Sequence, residues 1–238
     1  MSQLRGAVSF LTIVPAGGVL GKRTFLVFPL VGAALGGVLG LVWVLGRSYL
    51  APSAAAALFL VAEAAFTGVL HLDAVADCGD GLIAHMERPM RLQVMAEPTL
   101  GAFGVASILL VELAKYAALS SSHASWGPMI ACFAISRSVM AVVGTGFPRA
   151  KAESIIHAFS RGKSPVLQVF LLVLQAGIAL VVGTAFWGSR FAVASLVGLL
   201  AGVALVARSM KRLGGVTGDV AGASGILFEA AFFLFFFH

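Results

Sequence analysis

The side chains able to do chemistry crowd one short stretch, Leu70 to Gly81 (LHLDAVADCGDG), which carries His71, Asp73, Asp77 and Asp80. Read as a helix, Asp77 and Asp80 follow Asp73 by four and seven residues. At 3.6 residues per turn those steps return within about 40° of the starting direction, so the three carboxylates share one face. Like charges at that spacing repel and call for a compensating cation. Hard oxygen donors beside an apolar span suit Mg²⁺ or Mn²⁺, which take few carboxylates and complete their shells with water and substrate phosphate. A solvated acidic helix end is the plainer alternative. His71 borders this face as a base or, the commoner role, as a hydrogen-bond partner.

A second stretch, Gly214-Gly215-Val216-Thr217-Gly218-Asp219, sets three glycines, a hydroxyl and an acid just before an apolar run. It suggests a turn whose backbone N–H groups approach a phosphate, with Asp219 as another ligand. No GK[ST] follows, so it is no Walker motif. Arg88, Arg91, Arg149, Lys151, Arg161 and Lys163 are candidates to hold phosphates, since guanidinium and ammonium groups pair with them well. The alternative for each is a topological anchor.

These residues must be positioned by membrane helices. The 238-residue chain is 60% hydrophobic and only 11% charged, against about 25% charged in soluble domains. Mean hydropathy is +1.02. The expected fold is all-α, a single integral-membrane domain over residues 1–238 with about seven spans of roughly 20 residues. The spans are placed near 25–46, 53–70, 101–119, 126–146, 165–187, 191–207 and 226–237. Gly32, Gly36 and Gly40 in the first have the small-xxx-small spacing that permits close helix contact. Residues 1–23 are too short and broken by Pro15 to span, and carry no signal-peptide pattern. Within the spans, Glu63, Glu112, Lys115, Arg137 and Glu229 must face the bundle rather than lipid. Glu112 is expected to pair with Lys115, three residues on, and Glu63 or Glu229 with Arg137.

The formal net charge of +6 does not indicate nucleic acid, because the basic residues form no aromatic-interleaved face. They obey topology instead. With the N-terminus inside, Arg5, Lys22, Arg23, Arg88, Arg91, Arg149, Lys151, Arg161, Lys163, Arg208, Lys211 and Arg212 lie on the inner side, and Arg47 and Arg190 on the outer. That bias places the Asp stretch, the basic loop 147–164 and the stretch 214–225 on one cytoplasmic face. Cys78 and Cys132 form no CxxC motif, so neither zinc nor a disulfide framework is indicated.

These stretches resemble the cobalamin synthase family, the adenosylcobinamide-GDP ribazoletransferases. The family run HLDGLADTADGL is matched by His71-Leu-Asp73-Ala-Val-Ala-Asp77-Cys-Gly-Asp80-Gly81-Leu82, preceded by Thr67-Gly68-Val69 for TGG. Phe10–Pro15 matches FLT-x-x-P, Phe28–Gly32 matches FPLVG, Leu100–Gly104 matches IG-x-FG, and Gly214–Asp219 matches GG-x-TGD. The likeness covers nearly the whole chain. Two places depart: K-D-S-R is here Ala96-Glu97-Pro98-Thr99, and PYARPEG is approximated by Pro148-Arg-Ala-Lys151-Ala-Glu153-Ser.

The resemblance implies a multi-pass protein of a bacterial or archaeal inner membrane, in contact with lipid, with its active site facing the cytoplasm. It implies adenosylcobinamide-GDP and α-ribazole or its 5′-phosphate as substrates, adenosylcobalamin or its 5′-phosphate and GMP as products, and no nucleic-acid partner. A homo-oligomer is left open. A ribose hydroxyl then attacks a pyrophosphate phosphorus, and Asp73, Asp77 and Asp80 hold Mg²⁺ or Mn²⁺. Asp80 is the expected acceptor of the hydroxyl proton, with Asp77 beside it, although sequence does not separate a base from a ligand. His71, Glu97, Lys151, Glu153, Arg161, Gly215, Thr217 and Asp219 are the expected substrate contacts. The rivals are a CDP-alcohol phosphotransferase-like enzyme, whose DG-x-x-AR and later D-x3-D are only partly echoed at Asp80–Ala84, and a small-solute transporter, which favours midplane sites and inverted repeats.

Overall fold

A computed structural model describes residues 1–21, 23–123, 125–151 and 165–237. Glu153, Arg161 and Lys163, expected in the basic loop, lie outside the described residues. The described chain is helical: α1 Ser2–Leu11, α2 Phe28–Tyr49, α3 Pro52–Thr67, α4 Leu70–Ile83, α5 Arg88–Val94, α6 Ala102–Ser121, α7 Gly127–Gly146, α8 Pro165–Leu213 and α9 Gly218–Phe236, with a 3₁₀ turn at Thr24–Val27 before α2. Proline opens α2, α3, α5 and α7 in the first turn, at Pro29, Pro52, Pro89 and Pro128. There its missing N–H removes no helical bond.

Five helices are long and apolar enough to cross a membrane (with the 3₁₀ turn joined to α2), or six if the bent pair α3–α4 counts as one span. The expected seven is not reached by that count. Its fifth and sixth spans fall within the single 49-residue α8, broken at Gly188, where φ is 74°. Val173, Gly177 and Leu180 before the break face Leu199, Gly202 and Val206 after it across one cavity, so the two arms run back along each other. The second expected span also ends differently. It turns through 93° between Thr67 and Leu70, using left-handed backbone at Gly68 (φ 61°) and Val69 (φ 63°). For a β-branched residue that conformation is strained, costing on the order of 1–3 kcal/mol. The bend lays the Asp stretch on its own helix, α4, instead of prolonging α3.

Helices meet through small residues. A Cβ on Gly32 or Gly36 of α2 would collide with the carbonyls of Phe133 and Met129 of α7, and one on Gly40 would stand 2.9 Å from the carbonyl of Trp126. The glycine stripe thus lets two backbones touch. One core layer gathers Trp43, Phe59, Phe133, Phe191, Phe228, Phe232 and Phe233, all buried. A second, around Ala74, Val75, Cys78, Met140, Val143 and Val220, lies under the Asp stretch.

The charged residues inside the bundle close on one another. Lys115 of α6 donates to Glu63 of α3 at 2.7 Å and to Glu229 of α9 at 3.1 Å. Arg137 of α7 pairs with the other Glu229 oxygen, which also accepts from Ser136 at 2.6 Å. Two acids and two bases thus cancel where lone charges would be costly. Glu63 pairs with Lys115 rather than Arg137, and Lys115 reaches Glu63 and Glu229 rather than hydrogen-bonding Glu112. The partners come from four different helices, which sequence spacing does not reveal.

Candidate active site on the α4 face

Helix α4 is pinned at its C-terminal end, where helix carbonyls lack internal partners. Arg91 of α5, buried, donates to the carbonyls of Gly81 at 2.8 Å and Ala84 at 2.9 Å. Arg208 of α8 donates to the carbonyl of Leu82 at 2.9 Å. Cations at a helix C-terminus are also favoured by its dipole. Of the two readings of Arg91, phosphate holder or anchor, these contacts favour the anchor: its guanidinium is buried on backbone.

Where they are described, the loops expected to converge do so. Val216 donates to the carbonyl of Pro148 at 2.8 Å, and Ala150 donates to that of Val216 at 3.0 Å. Lys151 reaches the carbonyl of Leu92 at 2.7 Å, and Ser209 that of Gly215 at 2.6 Å. Gly214 takes a left-handed φ of 69°. A Cβ on Gly215 would stand 2.5 Å from the backbone of Arg149. Gly215 is therefore a crossing point of two chain segments, and that accounts for the glycine without a phosphate. Thr217 is the N-cap of α9: its hydroxyl accepts from the Val220 N–H at 3.2 Å and donates to Asp219 at 3.1 Å.

The three aspartates of α4 part ways. Asp80 is buried, and its two oxygens accept from the N–H groups of Gly101 at 2.7 Å and Gly104 at 2.8 Å, at the N-terminus of α6. A carboxylate there satisfies orphan donors and the positive helix end together. Asp73 is exposed and Asp77 half-buried, and neither carboxylate hydrogen-bonds another described residue. Asp77 feels the like charges of Asp219, Asp73 and Asp80 and the opposite charge of Lys151. Asp219 feels Asp73 and Lys151 in turn. The open acidic patch is therefore Asp73, Asp77 and Asp219, drawn from α4 and α9, with Lys151 as counter-charge. Among the described residues no three His, Cys, Asp or Glu form a metal cage. The remaining oxygen donors suit a hard cation that uses one or two carboxylates and fills its shell from substrate and water.

A cavity of about 140 Å³ adjoins the patch, with Asp73, His71 and Asp219 on one side and Phe10, Phe25 and Phe28 on the other. His71 is 4% exposed and its Nδ1 has no hydrogen-bond partner among the described residues. Glu97 is not brought here: it is exposed and takes a bond from Gln93 at 3.0 Å. Sequence reasoning gave no role to Phe10, Phe25 or Phe28, and the runs Phe10–Pro15 and Phe28–Gly32 were the available signal for two of them.

Helices of membrane-spanning length, with an acidic patch and a basic counter-charge beside a pocket, mark a polytopic membrane protein with a candidate active site. The sequence model of the cobalamin-5-phosphate synthase family matches residues 3–237, and the chain belongs to that family. It is 31% identical over 218 residues to an adenosylcobinamide-GDP ribazoletransferase of Citrobacter koseri, covering 90% of this chain and 87% of that protein. No solved structure matches the chain.

Proposed function

We propose that the chain transfers the adenosylcobinamide phosphate moiety of adenosylcobinamide-GDP to α-ribazole or its 5′-phosphate. The products are adenosylcobalamin or its 5′-phosphate, and GMP. The observation that carries this reading is the family match over residues 3–237, and the open acids beside a pocket supply the chemistry it needs. A ribose hydroxyl attacks the phosphorus that bears the cobinamide. The new O–P bond forms as the bridging P–O bond breaks, and GMP leaves with the electron pair. Asp77, half-buried and without a hydrogen-bond partner among the described residues, accepts the hydroxyl proton. Lys151, held over the patch, pairs with a phosphate oxygen.

Mg²⁺ or Mn²⁺ fits this donor set, with Asp73 and Asp77 as its holders and Asp219 in reserve. Bound there, the ion offsets the charge developing on the phosphates. In this reading Asp80, bonded to the N–H groups of Gly101 and Gly104, positions α4 against α6, and Asp77 takes the proton in its place. The positive-inside bias supports a cytoplasmic site, and reporter fusions after Arg91 and after Ser48 are expected on opposite sides of the membrane, Arg91 inside.

The test is conversion by the purified protein in detergent. Adenosylcobinamide-GDP and α-ribazole should give adenosylcobalamin and GMP in equal amounts with Mg²⁺, and neither after chelation. No product with both substrates and metal present contradicts the reading.

A further inference from the structure

The cavity beside the acidic patch has more character than a metal-bearing surface needs. One wall is aromatic and comes from outside the Asp stretch: Phe10 and Phe28 stack with ring centroids 5.9 Å apart, and Phe25 meets Phe28 edge-on at 4.9 Å. Helix α4 contributes His71 and Asp73 to the lining, and α9 contributes Gly222 among others. A Cβ on Gly222 would stand 3.1 Å from that of Ala74 and 3.7 Å from the His71 ring, so a larger side chain there would crowd the lining. His71 brings a second, independent observation. A buried imidazole nitrogen without a partner is costly, and a ligand in the cavity is placed to supply one.

Size and polarity narrow the ligand. A volume of about 140 Å³ is well below the roughly 300–1,000 Å³ of pockets that enclose whole drug-sized molecules. It takes a ring system, not a corrin or a dinucleotide. Guanine presents donors and acceptors along its edge; Asp73 and Asp219 can accept from the donors, but three phenylalanines offer nothing to its carbonyl and ring-nitrogen acceptors. A bicyclic base with methyl substituents and one free ring nitrogen matches the phenylalanines and the His71 imidazole, and leaves Asp73 and Asp219, which line the same cavity, to the attached ribose. A ribose attached to such a base would extend toward Asp73 and Asp219, at the same pocket.

We infer that the cavity between Phe10, Phe25, Phe28 and His71 seats the substituted benzimidazole of the acceptor nucleoside, so that these residues select the acceptor's base. This rests on the function proposed above and assigns the acceptor's end of the same site. The aromatic wall grips the ring by stacking and burial. His71 donates to or accepts from the ring edge, and the ribose hydroxyls emerge at the acids that activate one of them.

The test changes the wall and the base together. Wild type and Phe10→Ala are assayed with α-ribazole and with a riboside of a larger, naphthalene-fused imidazole. Phe10→Ala should raise the KM for α-ribazole roughly tenfold and leave that for adenosylcobinamide-GDP unchanged. It should also raise the kcat/KM ratio of the larger acceptor to α-ribazole at least several-fold, a gain that a misfolded protein does not produce. A second arm uses an indole riboside, in which carbon replaces the free ring nitrogen. Wild type should bind it more weakly than α-ribazole, while His71→Phe should treat the two alike. If wild type makes adenosylcobalamin but Phe10→Ala alters both KM values equally and the acceptor ratio stays fixed, the base pocket is wrong and the activity stands. If wild type converts no α-ribazole at all, the activity itself is wrong.

Discussion

Replacing Asp80 separates a structural carboxylate from a chemical one. Its two oxygens hold the N–H groups of Gly101 and Gly104 at 2.7 and 2.8 Å. Hydrogen bonds to a charged group contribute about 1.5–3 kcal/mol each, and a carboxylate at a partly buried helix N-terminus up to about 2 kcal/mol more. Because the contributions overlap, Asp80→Ala should cost about 3–5 kcal/mol, a large share of a typical stability of about 5–15 kcal/mol. Asp80→Asn keeps one acceptor but turns an amide NH₂ toward a donor, so about half that loss is expected. Asp77→Asn, by contrast, removes one of several like charges and should leave stability level or slightly raised. The assay is denaturant or thermal unfolding of the three variants in one detergent, with activity measured on the same samples. If Asp80→Ala unfolds at the wild-type midpoint yet loses turnover as completely as Asp77→Asn, Asp80 belongs to the chemistry and the helix-capping argument fails.

Glu229→Gln breaks a buried network in which Lys115, Arg137 and Ser136 all converge on one carboxylate. It should cost about 3–5 kcal/mol, read as a loss of folded protein on mild heating; a midpoint unchanged from wild type would show that the pairs contribute nothing. Lys151→Ala should raise the KM for adenosylcobinamide-GDP about tenfold or more and leave the α-ribazole KM nearly unchanged, because the proposed function pairs its ammonium with a substrate phosphate. Equal effects on both substrates would assign Lys151 only its bond to the Leu92 carbonyl.

The membrane fold, the α4 stretch and the convergence of three loops were legible because hydropathy, charge bias and acid spacing are local signals. The glycine contacts of α2 were legible for the same reason. The bend at Gly68–Val69 was not, since it depends on two consecutive left-handed residues, and valine gives no hint of one. The fate of Asp80 was hidden because its partners are backbone N–H groups about 20 residues on, which helical periodicity does not see. The backbone contacts of Arg91 and Gly215 were hidden for a related reason: a basic residue and a glycine near an acid look like phosphate binders, and only packing shows the carbonyls and chain crossing beside them. Asp219 was legible as a further ligand from the stretch 214–219, whereas the phenylalanine wall reaches the site only through tertiary packing.

The most direct measurement titrates Mg²⁺ against the formation of adenosylcobalamin and GMP by wild type, Asp73→Asn and Asp77→Asn, each checked for folding. Wild type should saturate with metal. Asp73→Asn should need much more Mg²⁺ to approach its lower plateau, and Asp77→Asn should fall by orders of magnitude at every concentration. Near-normal turnover of Asp77→Asn at limiting Mg²⁺ would contradict the account.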